Sequence, residues 1–92
     1  MKRVKLRISG IVQGVFYRKS AKIEADRLGV FGYVRNLPNG DVEAEVYGDD
    51  EAVNRFIEWA KVGPKRAKVD VVEVTNLDPN EGEKFGSFEI RY

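Results

Sequence analysis

Val30-Phe31-Gly32-Tyr33-Val34-Arg35-Asn36, then Leu37-Pro38-Asn39-Gly40, then Asp41-Val42-Glu43-Ala44-Glu45-Val46-Tyr47, reads as a strand, a turn and a second strand. Asn-Gly is the strongest short hairpin signal, because both residues tolerate the left-handed backbone that tight turns require. Downstream of it the side chains alternate. Val42, Ala44 and Val46 point one way, while Glu43, Glu45 and Tyr47 point the other, so the strand buries one face. Upstream, Val30–Asn36 is rich in β-branched and aromatic residues, and Gly32 within it marks a close backbone approach or a bulge.

Working outward, each arm of this hairpin is preceded or followed by a helix and a further strand. Lys2 to Val12 alternates, with Val4, Leu6 and Ile8 opposed to Arg3, Lys5 and Arg7. Tyr17, Ala21, Ala25 and Leu28 then form a stripe at spacings of four, four and three, which predicts a helix over Tyr17–Leu28 ended by Gly29. Ile23 falls off that stripe. After the hairpin, Gly48-Asp49-Asp50-Glu51 opens a second helix, its acids suited to the positive end of the helix dipole. Val53, Phe56, Ile57 and Ala60 make its apolar face, Trp59 joins the core, and Gly63-Pro64 stops it. Lys68 to Thr75 is a third alternating strand with a phase slip at Val71-Val72 that marks a bulge. Asn76 to Lys84 is polar and loops out. Phe88, Ile90 and Tyr92 alternate in a last short strand.

The order is β-α-β-β-α-β with a short extra strand at the end. It predicts an α+β, ferredoxin-like sandwich: an antiparallel sheet with both helices on one face. The other face should be open to water. Arg3, Lys5 and Arg7 lie there beside Asp41, Glu43 and Glu45 of the neighbouring strand, a solvated face of screened ion pairs.

Length and composition bound the function. The 92 residues fit one domain, 1–92, with 42% apolar and 34% charged residues. The chain has 16 basic and 15 acidic side chains, which gives no sign of a bulk polyanion partner. It has no histidine and no cysteine, which removes the commonest general base, the commonest metal ligand and any thiol nucleophile. There is no signal peptide and no membrane span, so the expectation is a cytoplasmic protein without a membrane partner.

The segment Gly10-Ile11-Val12-Gln13-Gly14-Val15-Phe16-Tyr17-Arg18 breaks a local rule. A glycine-containing turn between strand and helix can aim several amides inward as an anion nest. Arg18 and Lys19 nonetheless place cations where they oppose the helix dipole, by roughly 0.3–1 kcal/mol each. No Ser, Thr, Asp or Asn caps the helix. A bound phosphate accepting the amides and pairing with Arg18 would remove the conflict; so would a frayed helix end with a surface arginine. Asn36, at the end of the second strand, is either a functional side chain or simply the start of a turn.

Two runs together resemble a known family. Gly10 to Arg18 is similar to the first signature of acylphosphatases. Gly32-Tyr33-Val34-Arg35-Asn36, with Gly40, Val42 and Gly48 at their spacings, is similar to the second. The resemblance implies hydrolysis of small acyl phosphates without a metal or other cofactor. It implies that Arg18 binds the substrate phosphate, that the amides of Val15, Phe16, Tyr17 and Arg18 cradle it, and that Gln13 and Gly14 shape the loop. It implies that Asn36 orients the attacking water. A carboxylate leaving group, with a conjugate-acid pKa of about 4, departs without a general acid, so the missing histidine is no obstacle. A free-standing monomer is expected.

Two rivals stand beside this reading. One is a non-catalytic phosphate- or anion-binding regulatory domain, since acylphosphatase-like domains also occur within larger hydrogenase-maturation enzymes. The other is an RNA-binding module of the same fold, faintly echoed by Val30-Phe31-Gly32-Tyr33-Val34. The echo lies on the second strand and the third strand's outward face is acidic, so no nucleic-acid partner is expected.

Overall fold

A computed structural model describes all residues, Met1–Tyr92. The elements are β1 (Lys2–Ile11), α1 (Tyr17–Leu28), β2 (Phe31–Asn36), β3 (Val42–Gly48), α2 (Asp50–Ala60), β4 (Lys68–Leu77) and β5 (Phe88–Arg91). They form one five-stranded sheet in the order β4-β1-β3-β2-β5. Both helices pack against the same face, and the ferredoxin-like α+β expectation is borne out. The added strand is the one departure from an antiparallel sheet. β5 pairs parallel with β2, with Gly32 opposite Phe88 and Arg35 opposite Arg91, so the sheet is mixed.

The alternation in the sequence explains the core. Val4, Leu6 and Ile8 of β1, Val42, Ala44 and Val46 of β3, and Val34 of β2 are fully buried beneath Ala21 and Ala25 of α1 and Val53, Phe56 and Ala60 of α2. Ile23, off the helical stripe, is indeed exposed. Trp59 packs on the core edge, between the rings of Tyr17 and Phe56. Gly32 is fixed by close approach. A Cβ on it would lie 1.8 Å from the Glu45 carbonyl oxygen of β3. The bulge is present one residue before the expected slip. Ser9 pairs with Val71 but Gly10 pairs with Val69, so Asp70 is the extra residue of β4.

The helix-free face differs from expectation. β1 and β3 are neighbours, and Arg7–Asp41 joins them as an exposed pair at 2.8 Å. Arg3 and Glu45, however, are buried. Arg3 Nε donates to Glu45 Oε2 at 2.8 Å, and its guanidinium lies 4.8 Å from the centre of the Phe85 ring. The polar stretch does loop out, irregular and mostly exposed beyond Leu77, but it lies back across the sheet and carries Phe85 onto Arg3 and Tyr33. The stretch hides this in sequence because one aromatic residue among acids and amides makes no periodic pattern. A buried pair behaves unlike a screened one: removing either partner strands a charge and costs about 3–5 kcal/mol.

Candidate active site

The loop between β1 and α1 holds an unusual backbone. Val12 is buried and anchors it to the core. Gly14 has φ 73° with open space where a Cβ would stand, so only conformational strain, not crowding, selects glycine there. Phe16, just before α1, has φ 64° and ψ 25° and is the only non-glycine residue with positive φ. That conformation costs roughly 1–2 kcal/mol for a residue with a Cβ. It persists because both ends of the loop are held. Gln13 Nε2 donates to the carbonyls of Leu37 and Asp41, each at 2.8 Å, tying the loop to the β2–β3 turn. The Tyr17 hydroxyl donates to the Ala60 carbonyl at 2.8 Å, pinning the start of α1 to the end of α2. Burial raises the Tyr17 pKa above its ordinary value, so the phenol stays neutral as a donor.

The result is a row of free donors. The first backbone hydrogen bond of α1 runs from Ser20 N–H to the Phe16 carbonyl at 3.0 Å. The amides of Gly14, Val15, Phe16, Tyr17, Arg18 and Lys19 have no backbone acceptor, and no side chain caps the helix. Arg18 and Lys19 follow at once, and neither forms an ion pair with a carboxylate. Most other arginines do: Arg3, Arg7, Arg27, Arg35, Arg55 and Arg91 each have an acidic partner. Arg18 instead donates through Nη1 to the Arg91 carbonyl at 3.3 Å and lies over the Tyr92 ring, 4.8 Å from its centre. Free amides, the positive end of a helix dipole and two cations without carboxylates are together suited to an anion.

Asn36 completes it. A pocket of about 270 Å³ is lined by Gly14, Phe16, Tyr17, Arg18 and Lys19 on one side, Asn36 on another, and Ile90 and Tyr92 from the β5 side. Arg18 and Asn36 share this pocket because β1 and β2 lie on either side of β3, with the β1–α1 loop leaving beside the end of β2. Of the loop residues expected at the site, Gly14, Phe16, Tyr17 and Arg18 line the pocket. The side chains of Gln13 and Val15 do not. Gln13 turns to the hairpin, and Val15 packs half-buried on the core. Lys19, Ile90 and Tyr92 were not among the residues expected to line it. Lys19 is legible only as an ill-placed cation, and the other two reach the pocket through the parallel pairing of β5, which no local pattern encodes. No three His, Cys, Asp or Glu side chains converge anywhere on a metal-binding arrangement. No helix is long and apolar enough to cross a membrane.

Comparison with known proteins finds relatives along nearly the whole chain. The Acylphosphatase family model matches residues 4–90. An acylphosphatase of Anaeromyxobacter dehalogenans is 51% identical over 98% of this chain and 95% of its own length. The crystal structure of an acylphosphatase from Bacillus subtilis superposes with a TM-score of 0.93 at 33% identity, covering 100% of both chains. A HypF structure from T. kodakarensis is similar at 29% identity and a TM-score of 0.84, but this chain spans only 12% of it. On the family match and on relatives of about its own length, the chain belongs to the acylphosphatase family.

Proposed function

We propose that the chain hydrolyses the carboxyl–phosphate bond of small acyl phosphates by direct attack of water. Arg18 and the amides of Val15, Phe16, Tyr17 and Arg18 hold the phosphoryl oxygens, and Asn36 holds the water in line with the leaving oxygen. The water oxygen bonds to phosphorus as the bond from phosphorus to the acyl oxygen breaks. The electron pair leaves with the carboxylate, and the water's proton passes to phosphate or solvent. A carboxylate leaves without being protonated, so the site needs charge stabilisation and alignment rather than an acid. Fixed amides and a guanidinium supply the first, and an amide side chain supplies the second. One observation carries the reading. An uncapped helix start with an unpaired arginine shares a single pocket with Asn36.

The same reading takes residues 1–92 as one domain that acts as a cytoplasmic monomer, without cofactor, nucleic-acid or membrane partner. In its support, Arg3, Arg7 and Arg35 on the helix-free face are each engaged by a carboxylate, which leaves no basic platform for a polyanion. The likeness to part of HypF keeps a regulatory, non-catalytic domain as the second reading.

Hydrolysis of benzoyl phosphate separates the two. The enzyme reading requires turnover of that substrate, and a domain that binds inorganic phosphate but leaves benzoyl phosphate intact is regulatory. Asn36→Ala should lose turnover by about 10²–10³-fold while keeping most of its phosphate affinity. An equal collapse of both would assign Asn36 to phosphate binding instead of water positioning.

A further inference from the structure

β5 has four residues, lies at the edge of the sheet, and pairs only with β2, in a register that ends at Arg91. The end of such a strand should fray, yet it supplies the Arg91 carbonyl and the Tyr92 ring against which Arg18 rests. The Arg91 side chain holds that end. On the helix-free face its guanidinium grips both carboxylate oxygens of Glu83, with Nη1 at 3.1 Å from Oε1. Its Nε donates to Glu89 at 3.2 Å, and its Cζ lies 4.5 Å from the centre of the Tyr33 ring. Glu83 belongs to the segment that crosses this face and is fastened two residues later by Phe85 on Arg3. Arg91 therefore links the two. Its side chain is anchored on the helix-free face, and its carbonyl, at the sheet edge, accepts from Arg18.

We infer that Arg91, anchored by Glu83, is a positioning residue that sets the rotamer of Arg18. Arginine has many rotamers to lose on binding, and a side chain fixed beforehand loses fewer. One N–H spent on the Arg91 carbonyl leaves the remaining donors of Arg18 for the two-point grip on phosphate. The hydrogen bond to Arg91 also holds the Glu83 carboxyl below its usual range, so the pair is ionised wherever the protein is folded and active near neutrality. The inference rests on the reading that Arg18 binds the substrate phosphate.

The experiment compares Arg91→Ala, Glu83→Gln, Glu83→Asp and Arg18→Ala with the unaltered chain, well below their unfolding temperatures. It measures inorganic phosphate affinity, and kcat and KM for benzoyl phosphate. The Arg91 and Glu83 variants all keep the Arg91 carbonyl, so only its anchorage changes. Arg91→Ala should weaken phosphate binding about tenfold, the lower end of what loss of a ligand's support costs, with KM rising in step and kcat changing less. Glu83→Gln should weaken it about threefold, as suits an exposed ion pair, and Glu83→Asp should restore most of that. Should Arg91→Ala fail to fold, the exposed Glu83 variants decide alone. A lowered thermal midpoint with unchanged phosphate affinity would make Arg91 and Glu83 merely structural and overturn the inference. If Arg18→Ala itself keeps full phosphate affinity, the fault lies in the reading of the site.

Discussion

The two helices follow strands of the same sheet and pack on the same face, yet they begin in opposite ways. α2 starts after Asp49 with Asp50 and Glu51 in its first turn, and the N-terminal ammonium lies 3.4 Å from Asp50. Its backbone enters through an ordinary extended residue, Asp49 at φ −59° and ψ 141°. α1 starts after a left-handed phenylalanine, has no acid in its first turn, and places Arg18 and Lys19 there instead. Neither helix has a side-chain cap hydrogen bond, so capping does not distinguish them. Charge and backbone strain do. The acids at the start of α2 lower the energy of the folded chain alone, whereas the left-handed Phe16 and the cations Arg18 and Lys19 at the start of α1 are unfavourable unless an anion offsets them. A region that is locally unfavourable in the free protein is where binding energy can be concentrated.

The sharpest way to break this contrast is Arg18→Ala. Activity on acyl phosphates should fall by at least about 10²–10³-fold, the loss seen when one fixed donor to a transition-state oxyanion is removed. The thermal midpoint in phosphate-free buffer should change little, because relief of a cation that opposed its own helix dipole offsets the lost contacts to the Arg91 carbonyl and the Tyr92 ring. Kinetics and thermal unfolding of one variant test both halves. A variant that unfolds earlier but turns over normally would make Arg18 a scaffold residue and erase the difference between the helix starts.

The reverse experiment is Asp50→Lys with Glu51→Lys. It gives α2 the charges of α1 without the anion site. Two favourable dipole contributions lost and two unfavourable ones gained should destabilise the chain by about 1–4 kcal/mol, and each kcal/mol lowers the midpoint of a domain of this size by about 4–8 °C. Phosphate affinity and kcat/KM should stay as they were. Lost activity in a still folded variant would mean that the acids at α2 shape the site from a distance.

The contrast was legible in sequence to different depths. Arg18, Lys19 and the missing cap are visible in the ten letters from Gly10 to Lys19, because a helix start is a local event. Asn39-Gly40 and the alternation around it fix the hairpin for the same reason, and the hairpin places Asn36. Gln13 is visible as a loop residue, but its two bonds to the Leu37 and Asp41 carbonyls require the turn to be folded beside it. Ile90, Tyr92 and the Arg91 carbonyl were out of reach. They come to the pocket by a parallel pairing across about 55 residues of chain, in a strand too short to carry a clear pattern. The cover that Phe85 places over Arg3 was out of reach for a related reason. The segment's polar letters describe a solvated loop, and only the buried Arg3–Glu45 pair beneath it requires a cover.

The smallest expected effect is on pH, and it separates site from scaffold. The proposed site uses a guanidinium, amides and an asparagine, and the chain has no histidine or cysteine to titrate near neutrality. The scaffold groups whose titration is displaced move away from that range. Hydrogen bonds to Arg7 and Arg91 hold the Asp41 and Glu83 carboxyls below their ordinary values of 3.8 and 4.5, and burial raises Tyr17 and Tyr33. A carboxyl whose folded pKa is depressed contributes stability that is complete above its unfolded pKa and is lost as pH falls through the folded one. The thermal midpoint should therefore be level between about pH 8 and pH 5 and fall only below about pH 4. Over the same interval kcat/KM should change only with ionisation of the substrate's own phosphate. Profiles for two acyl phosphates of different phosphate pKa make the distinction. An inflection that moves with the substrate belongs to the substrate. One that stays fixed near neutrality belongs to a residue, and would mean that this site uses a proton-transfer group after all.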